Sequence, residues 1–132
     1  MIGVTNAKIV TGGSGGDNNY VLIDSYKSGT SWYKVFEEYD PDNGNYVGKW
    51  CEQGGRSDQK EGTVYLGQAY SNTDYKVFVQ QNGSDGAYLN RCQTVSQKTS
   101  NSFWIDYKTL DPSGSGTFTY YDWKAEGYIT EE

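Results

Sequence analysis

Residues 117–129, TFTYYDWKAEGYI, decide how this chain is read. The final fifteen residues hold five aromatic rings, Phe118, Tyr120, Tyr121, Trp123 and Tyr128, where chains usually fray. At a period of two residues, Tyr121, Trp123, Ala125 and Gly127 share one face. Tyr120, Asp122, Lys124, Glu126 and Tyr128 share the other. The pattern predicts a central strand, delivered last and inserted between earlier ones. The small pair Ala125 and Gly127 after Trp123 suits the close approach of a neighbour, another subunit among the options.

Working outward, the same period-2 runs recur between clusters of Gly, Asn, Asp and Ser. Strands are expected near Tyr20–Tyr26, Ser31–Tyr39, Tyr46–Gln53, Thr63–Tyr70 and Tyr75–Gln81. AYLNRCQTVSQ is expected to form one long or two short strands, and a further strand is expected over Ser102–Leu110. In the strand near Tyr20–Tyr26, alternation puts Tyr20, Leu22, Asp24 and Tyr26 on one face. DPDNGN is a hairpin loop, with Pro fixing φ and Asn-Gly supplying positive φ. GGRSDQKEG and NGSDG read as polar loops. No window shows helical periodicity over three turns, and parallel strands would need crossover helices for which there is no room. The fold class is therefore all-β, an antiparallel β-sandwich of roughly six to eight strands. Residues 1–19, with their TGGSGG, read as a flexible linker or the start of a first strand, joined to something upstream, and 20–132 as the sandwich domain.

The 132 residues suit one domain. Only 35% are apolar, yet 16% are aromatic, with thirteen Tyr against four Phe, which favours a thin core of large rings and many half-exposed phenols. A net charge of −6 without any Lys/Arg cluster argues against nucleic acid and anionic membranes as partners. No apolar run is long enough for membrane insertion, and MIGVTNAKIV lacks the apolar core of a signal peptide. Cys51 and Cys92 read as buried free thiols, with a cross-strand disulfide as the alternative.

The sequence holds no His, which removes Ser-His-Asp and Cys-His devices and the commonest zinc ligand. No catalytic residue, cofactor or metal is expected. Carboxylate pairs drawn from Glu37, Glu38, Asp40, Asp42, Asp106 and Asp122 leave a glycosidase-type alternative open. Asp40–Gly44 resembles half a calcium loop, but its Gly comes one position early, so a plain turn is the reading. Aromatics flanked by Asn, Asp and Gln suit carbohydrate, whose C–H-rich faces stack on rings while hydroxyls need fixed polar partners. One of Trp32/Tyr33, one of Trp104/Ile105 and one of Tyr120/Tyr121 should face outward. The candidate ligand-binding set is Trp32, Tyr33, Tyr39, Asp40, Asp42, Asn43, Tyr46, Tyr88, Tyr120 and Asp122.

The order of motifs resembles the C-terminal domain of bacteriophage tail fibres. The resemblance rests on Gly48, Gln53 and Gly54, then on Tyr70, Asn72, Tyr75 and Val77. It continues through Thr99, Ser102 and Phe103 and closes on Trp123, Ala125, Gly127 and Tyr128, with SGTSWYKVFEEY similar to a strand of related prophage proteins. The longer EEYDPDNGNY hairpin and Cys92 depart from the pattern. The resemblance implies an H-type-lectin-like sandwich assembled as a homotrimer. It would act without catalysis at the tip of a virion tail fibre made in the bacterial host cytoplasm. Its partner would be a host cell-surface polysaccharide or protein receptor. A depolymerase fragment and a purely structural trimerisation cap are the alternatives.

Overall fold

Alternating apolar and polar side chains give eight strands and no helix among the residues that the computed structural model describes, 19–59, 61–84, 91–109 and 117–131. The strands are β1 (Tyr20–Ser28), β2 (Ser31–Tyr39), β3 (Tyr46–Ser57) and β4 (Gly62–Tyr65). They continue with β5 (Lys76–Ser84), β6 (Arg91–Ser96), β7 (Ser102–Thr109) and β8 (Thr117–Ile129). A five-stranded sheet runs β1-β2-β3-β8-β5 and a three-stranded sheet runs β4-β7-β6. Every pairing is antiparallel.

β8 occupies the interior position expected of it, pairing with β3 on one side and β5 on the other. Its two faces divide as the period-2 reading predicts. Tyr121, Ala125 and Gly127 are buried, and Trp123 packs on the core. The alternate residues Tyr120, Asp122, Lys124, Glu126 and Tyr128 are half-buried or exposed. Val35, Cys51, Tyr121 and Ala125 of the large sheet meet Val64, Phe103 and Ile105 of the small one. Tyr70 and Tyr75, from the connection between β4 and β5, close this core with rings stacked 4.4 Å apart. Their hydroxyls are satisfied by backbone: Tyr70 donates to the Cys51 carbonyl at 3.2 Å, and the Tyr75 hydroxyl lies 2.8 Å from the Thr99 and Ser102 carbonyls.

A Cβ added to Gly127 would come 2.7 Å from Tyr75 Cβ, closer than packed carbons tolerate. The neighbour admitted by the small pair in β8 is therefore the chain's own Tyr70–Tyr75 pair, where a second subunit was one expectation. Four further expectations change. β3 runs on to Ser57 in place of ending at Gln53, because Gly54 and Gly55 stay in the sheet. β5 likewise continues through Asn82, Gly83 and Ser84, with a bulge between Asn82 and Gly83, where a loop was expected. β4 stops at Tyr65, leaving Tyr70 only an isolated bridge to Ile129. In β1 the register slips between Leu22 and Asp24. Tyr20 and Leu22 consequently stand opposite Glu38 and Phe36, whereas Asp24 and Tyr26 stand opposite Val35 and Tyr33, so the four do not share a face.

Cys51 is a buried free thiol, as read from sequence, and the side chain of Cys92 lies outside the described ones. Burial pushes the Cys51 thiol up to about 12 and the Tyr75 phenol up to about 12, and it raises Tyr70 as well. Unfolded, such groups ionise near ~8.5 and ~10, so on raising the pH the unfolded chain releases its protons first. The stability they contribute is thus complete below those values and disappears as pH climbs towards 12. Urea denaturation should show a midpoint that holds to about pH 8 and then falls steadily, with tyrosinate absorbance of the buried phenols appearing only as the chain unfolds.

Candidate functional site

The far end of the β1–β2 hairpin carries rings on both of its sides. Tyr26 faces Tyr33 across the strands, and Lys27 faces Trp32. The Tyr26 and Tyr33 rings stack at 5.4 Å with 19° between their planes. Together with Gln53 and Gly54 of β3, Trp123 of β8 and the stretch Tyr65–Gln68, they line a cleft of about 410 Å³. Two glycines make room for its indoles. A Cβ on Gly54 would lie 2.8 Å from Trp32 Nε1, and one on Gly55 would lie 3.2 Å from Trp123 Nε1. Phe103 meets Trp123 edge-on at 5.4 Å, which ties this wall to the core. The rim is open: Tyr65 is 77% and Tyr26 is 51% exposed.

Gln53 sets the position of the opposite wall. It is only 1% exposed, and a buried amide must find partners. Its Nε2 donates to the Gln68 carbonyl at 2.8 Å, and its Oε1 accepts the Gly67 and Gln68 N–H groups at 3.0 Å each. The segment after β4 is held by backbone at its ends, where Leu66 N–H donates to the Asn101 carbonyl and Tyr70 N–H to the Ser100 carbonyl, and between them this amide takes the place of a ladder partner. The described lining residues present phenols, indoles, amides and the Ser31 hydroxyl, and no ionised group. Such a surface offers flat apolar faces beside fixed hydrogen-bonding groups.

The sequence-derived candidates fall into three places. Trp32 and Tyr33 line the cleft. Tyr39, Asp40, Asp42, Asn43 and Tyr46 gather at the β2–β3 hairpin, roughly 23 Å away along β2 at 3.3 Å per residue. There Asp40 Oδ1 accepts the Asp42 N–H at 2.7 Å and Asn43 Oδ1 accepts the Asn45 N–H at 2.8 Å, so both side chains build the turn itself. Tyr39 donates to Glu37 and Tyr46 to Glu131, and their rings meet at 5.6 Å. The bond to Glu37 raises the Tyr39 phenol, and burial, followed by the bond to Glu131, raises that of Tyr46. Tyr120 and Asp122 form the third place. The Arg56 guanidinium covers the Tyr120 ring at 3.8 Å and contacts both Asp122 carboxylate oxygens, at 2.8 and 3.4 Å. Tyr88 lies outside the described residues.

Of the three outward choices, Tyr120 and Trp104 face out, because Tyr121 and Ile105 are buried. Tyr33 packs against the core margin and Trp32 lies across Gly54. Sequence reasoning did not nominate Tyr26, Gln53, Tyr65, Gln68 or Trp123 for binding. The available signal was Gln53-Gly54-Gly55: two consecutive glycines inside a strand mark places where other groups come close.

No family model and no curated protein matches the chain. Among solved structures it is similar to an N-truncated R2-type pyocin tail fibre, with 14% identity and a TM-score of 0.49 over 80% of this chain. The chain spans 38% of the length of that structure.

Replacing Gln53 by Leu preserves bulk but leaves two part-buried donors and one acceptor of the 67–68 wall without their partner. A fully buried unpaired group costs about 1–3 kcal/mol, and water reaches these three in part, so urea denaturation should show a total loss of roughly 2–4 kcal/mol. Amide hydrogen exchange at Gly67 and Gln68 should accelerate more than at the β3–β8 ladder.

Proposed function

We propose that this chain is a non-enzymatic receptor-binding module from the tip of a phage or prophage tail fibre, and that it holds a host cell-surface glycan in the cleft. The observation that carries this reading is the convergence of Tyr26, Trp32, Tyr65 and Trp123 on one uncharged opening whose far wall is pinned by Gln53. Sugar rings present C–H faces that stack on aromatic faces, and their hydroxyls bond to amides held in place beforehand. The motif order that resembles tail-fibre domains supports the same reading. Many of the residues carrying it are structural in this fold, among them Gln53, Gly54, Tyr70, Tyr75 and Gly127.

An open cleft of this size gives a weak single-site affinity, and assembly as an H-type-lectin-like homotrimer would multiply it through avidity. The outer face of the five-stranded sheet supports assembly. It exposes Tyr20, Leu22, Phe78 and Tyr128, apolar side chains that a neighbouring subunit would cover. On this reading the domain belongs to the virion and acts at host attachment.

Retention of the purified domain on cells of candidate hosts, or on their isolated polysaccharides, tests the proposal. Trp32→Ala and Tyr65→Ala should each lower retention roughly tenfold, as expected for the loss of one ring contact of about 1–1.5 kcal/mol. Tyr46→Ala, at the opposite end of the sheet, should leave retention unchanged. Release of new reducing ends from the polysaccharide would replace binding with hydrolysis, and sedimentation as a monomer at micromolar concentration would remove the trimer.

A further inference from the structure

The cleft is not the only concavity at this end of the hairpin. A second, of about 460 Å³, is lined by Ser25, Tyr26, Lys27, Trp32, Tyr33 and Lys34. It shares Tyr26, Trp32 and Tyr33 with the first, so the two open onto the same rings. Their chemistry differs. The first presents no ionised group, whereas the second presents two ammonium groups.

Those two lysines are close neighbours. Lys27 stands opposite Trp32, and Lys34 is two residues further along β2 on the same face, which makes the lysines diagonal neighbours across the strands. Like charges so placed repel each other unless an anion lies between them. No carboxylate among the described residues forms a salt bridge with either. The acid facing Lys34 in the sheet is Glu52 of β3, and it is engaged elsewhere. Lys124 Nζ lies 3.7 Å from Glu52 Oε1, and Trp50 Nε1 donates to its Oε2 at 3.3 Å. A chain with net charge −6 therefore keeps two neighbouring lysines without an ion pair of their own, among the described residues, beside its aromatic cleft.

We infer that Lys27 and Lys34 form a subsite for an anionic substituent on the bound sugar, a carboxylate or an esterified phosphate or sulfate, while the neighbouring neutral ring stacks in the cleft. The inference rests on the glycan reading above and specifies its substrate class as acidic polysaccharide. Two charge-assisted bonds at an exposed site favour the charged sugar over its neutral counterpart by about fivefold.

The test is a two-dimensional ¹H–¹⁵N titration of the intact domain with methyl glucuronide, methyl glucoside and inorganic phosphate. Both glycosides should shift the Trp32 and Trp123 indole N–H signals. The glucuronide should bind about fivefold more tightly, with an advantage that shrinks as salt is added and vanishes in Lys27→Gln/Lys34→Gln. The double variant should retain the glucoside response, which shows that its cleft is intact. Equal affinity for the two glycosides overturns the anionic subsite and leaves the glycan reading standing. Phosphate binding as tightly as the glucuronide overturns it too, because the lysines would then read a bare anion. If neither glycoside moves the indole signals, the glycan reading itself fails and the subsite with it.

Discussion

The approach of Tyr75 to the backbone of β8 at Gly127 is the contact on which the remaining structure depends. With no side chain there, Tyr75 and its stacked partner Tyr70 descend onto the sheet and close the core. Their hydroxyls then fix the Cys51 carbonyl of β3 on one side and the Thr99–Ser102 turn before β7 on the other. Two phenols thereby join the large sheet to the small one. They do so with polar tips as well as ring faces, which is how a core poor in Leu and Ile can still be specific.

The cleft follows from the same economy of side chains. Three consecutive residues of β3 do the positioning: Gln53 fastens the wall after β4, Gly54 receives the Trp32 indole and Gly55 receives that of Trp123. Gln53 pairs in register with Ala125, the other small residue of β8, so the strand that completes the core also leaves room beneath the cleft. Fold and candidate site are thus one arrangement of small residues in β3 and β8, with rings laid over them.

The fold was largely legible because period-2 alternation is a local property. It located β2 and β8 to their end residues and separated the buried and exposed faces of β8 correctly. It failed where backbone geometry departs from regular pairing. The bulge near Ile23 moved Tyr26 onto the face of Tyr33, and no alternation rule announces such a slip. Gly54 and Gly55 looked like a loop because glycine usually marks one, whereas here the indoles of the two flanking strands, Trp32 of β2 and Trp123 of β8, fill the space above them. The candidate site was half legible for the same reason. Trp32 and Tyr33 stood out as adjacent rings of which alternation turns one outward, but Tyr65, Trp123 and Gln53 join them only through tertiary pairing. The residues of the β2–β3 hairpin looked like a binding loop by composition, and Asp40 and Asn43 are instead occupied in making the turn.

The interior location of β8 has a kinetic side. Its ladder joins residues as distant in sequence as Lys49 and Ile129, so the large sheet cannot close by local zippering. As a nascent chain leaves the ribosome, β1, β2 and β3 can assemble into a meander, while β3 and β5 wait with a vacant slot between them until Thr117–Ile129 emerges. During that interval the slot is a template for any matching strand, and in a polysome the nearest one belongs to a sister chain. Synthesis of many copies side by side therefore exposes this topology to strand exchange, and fast release of the final thirteen residues of the sheet favours the correct, self-closed product.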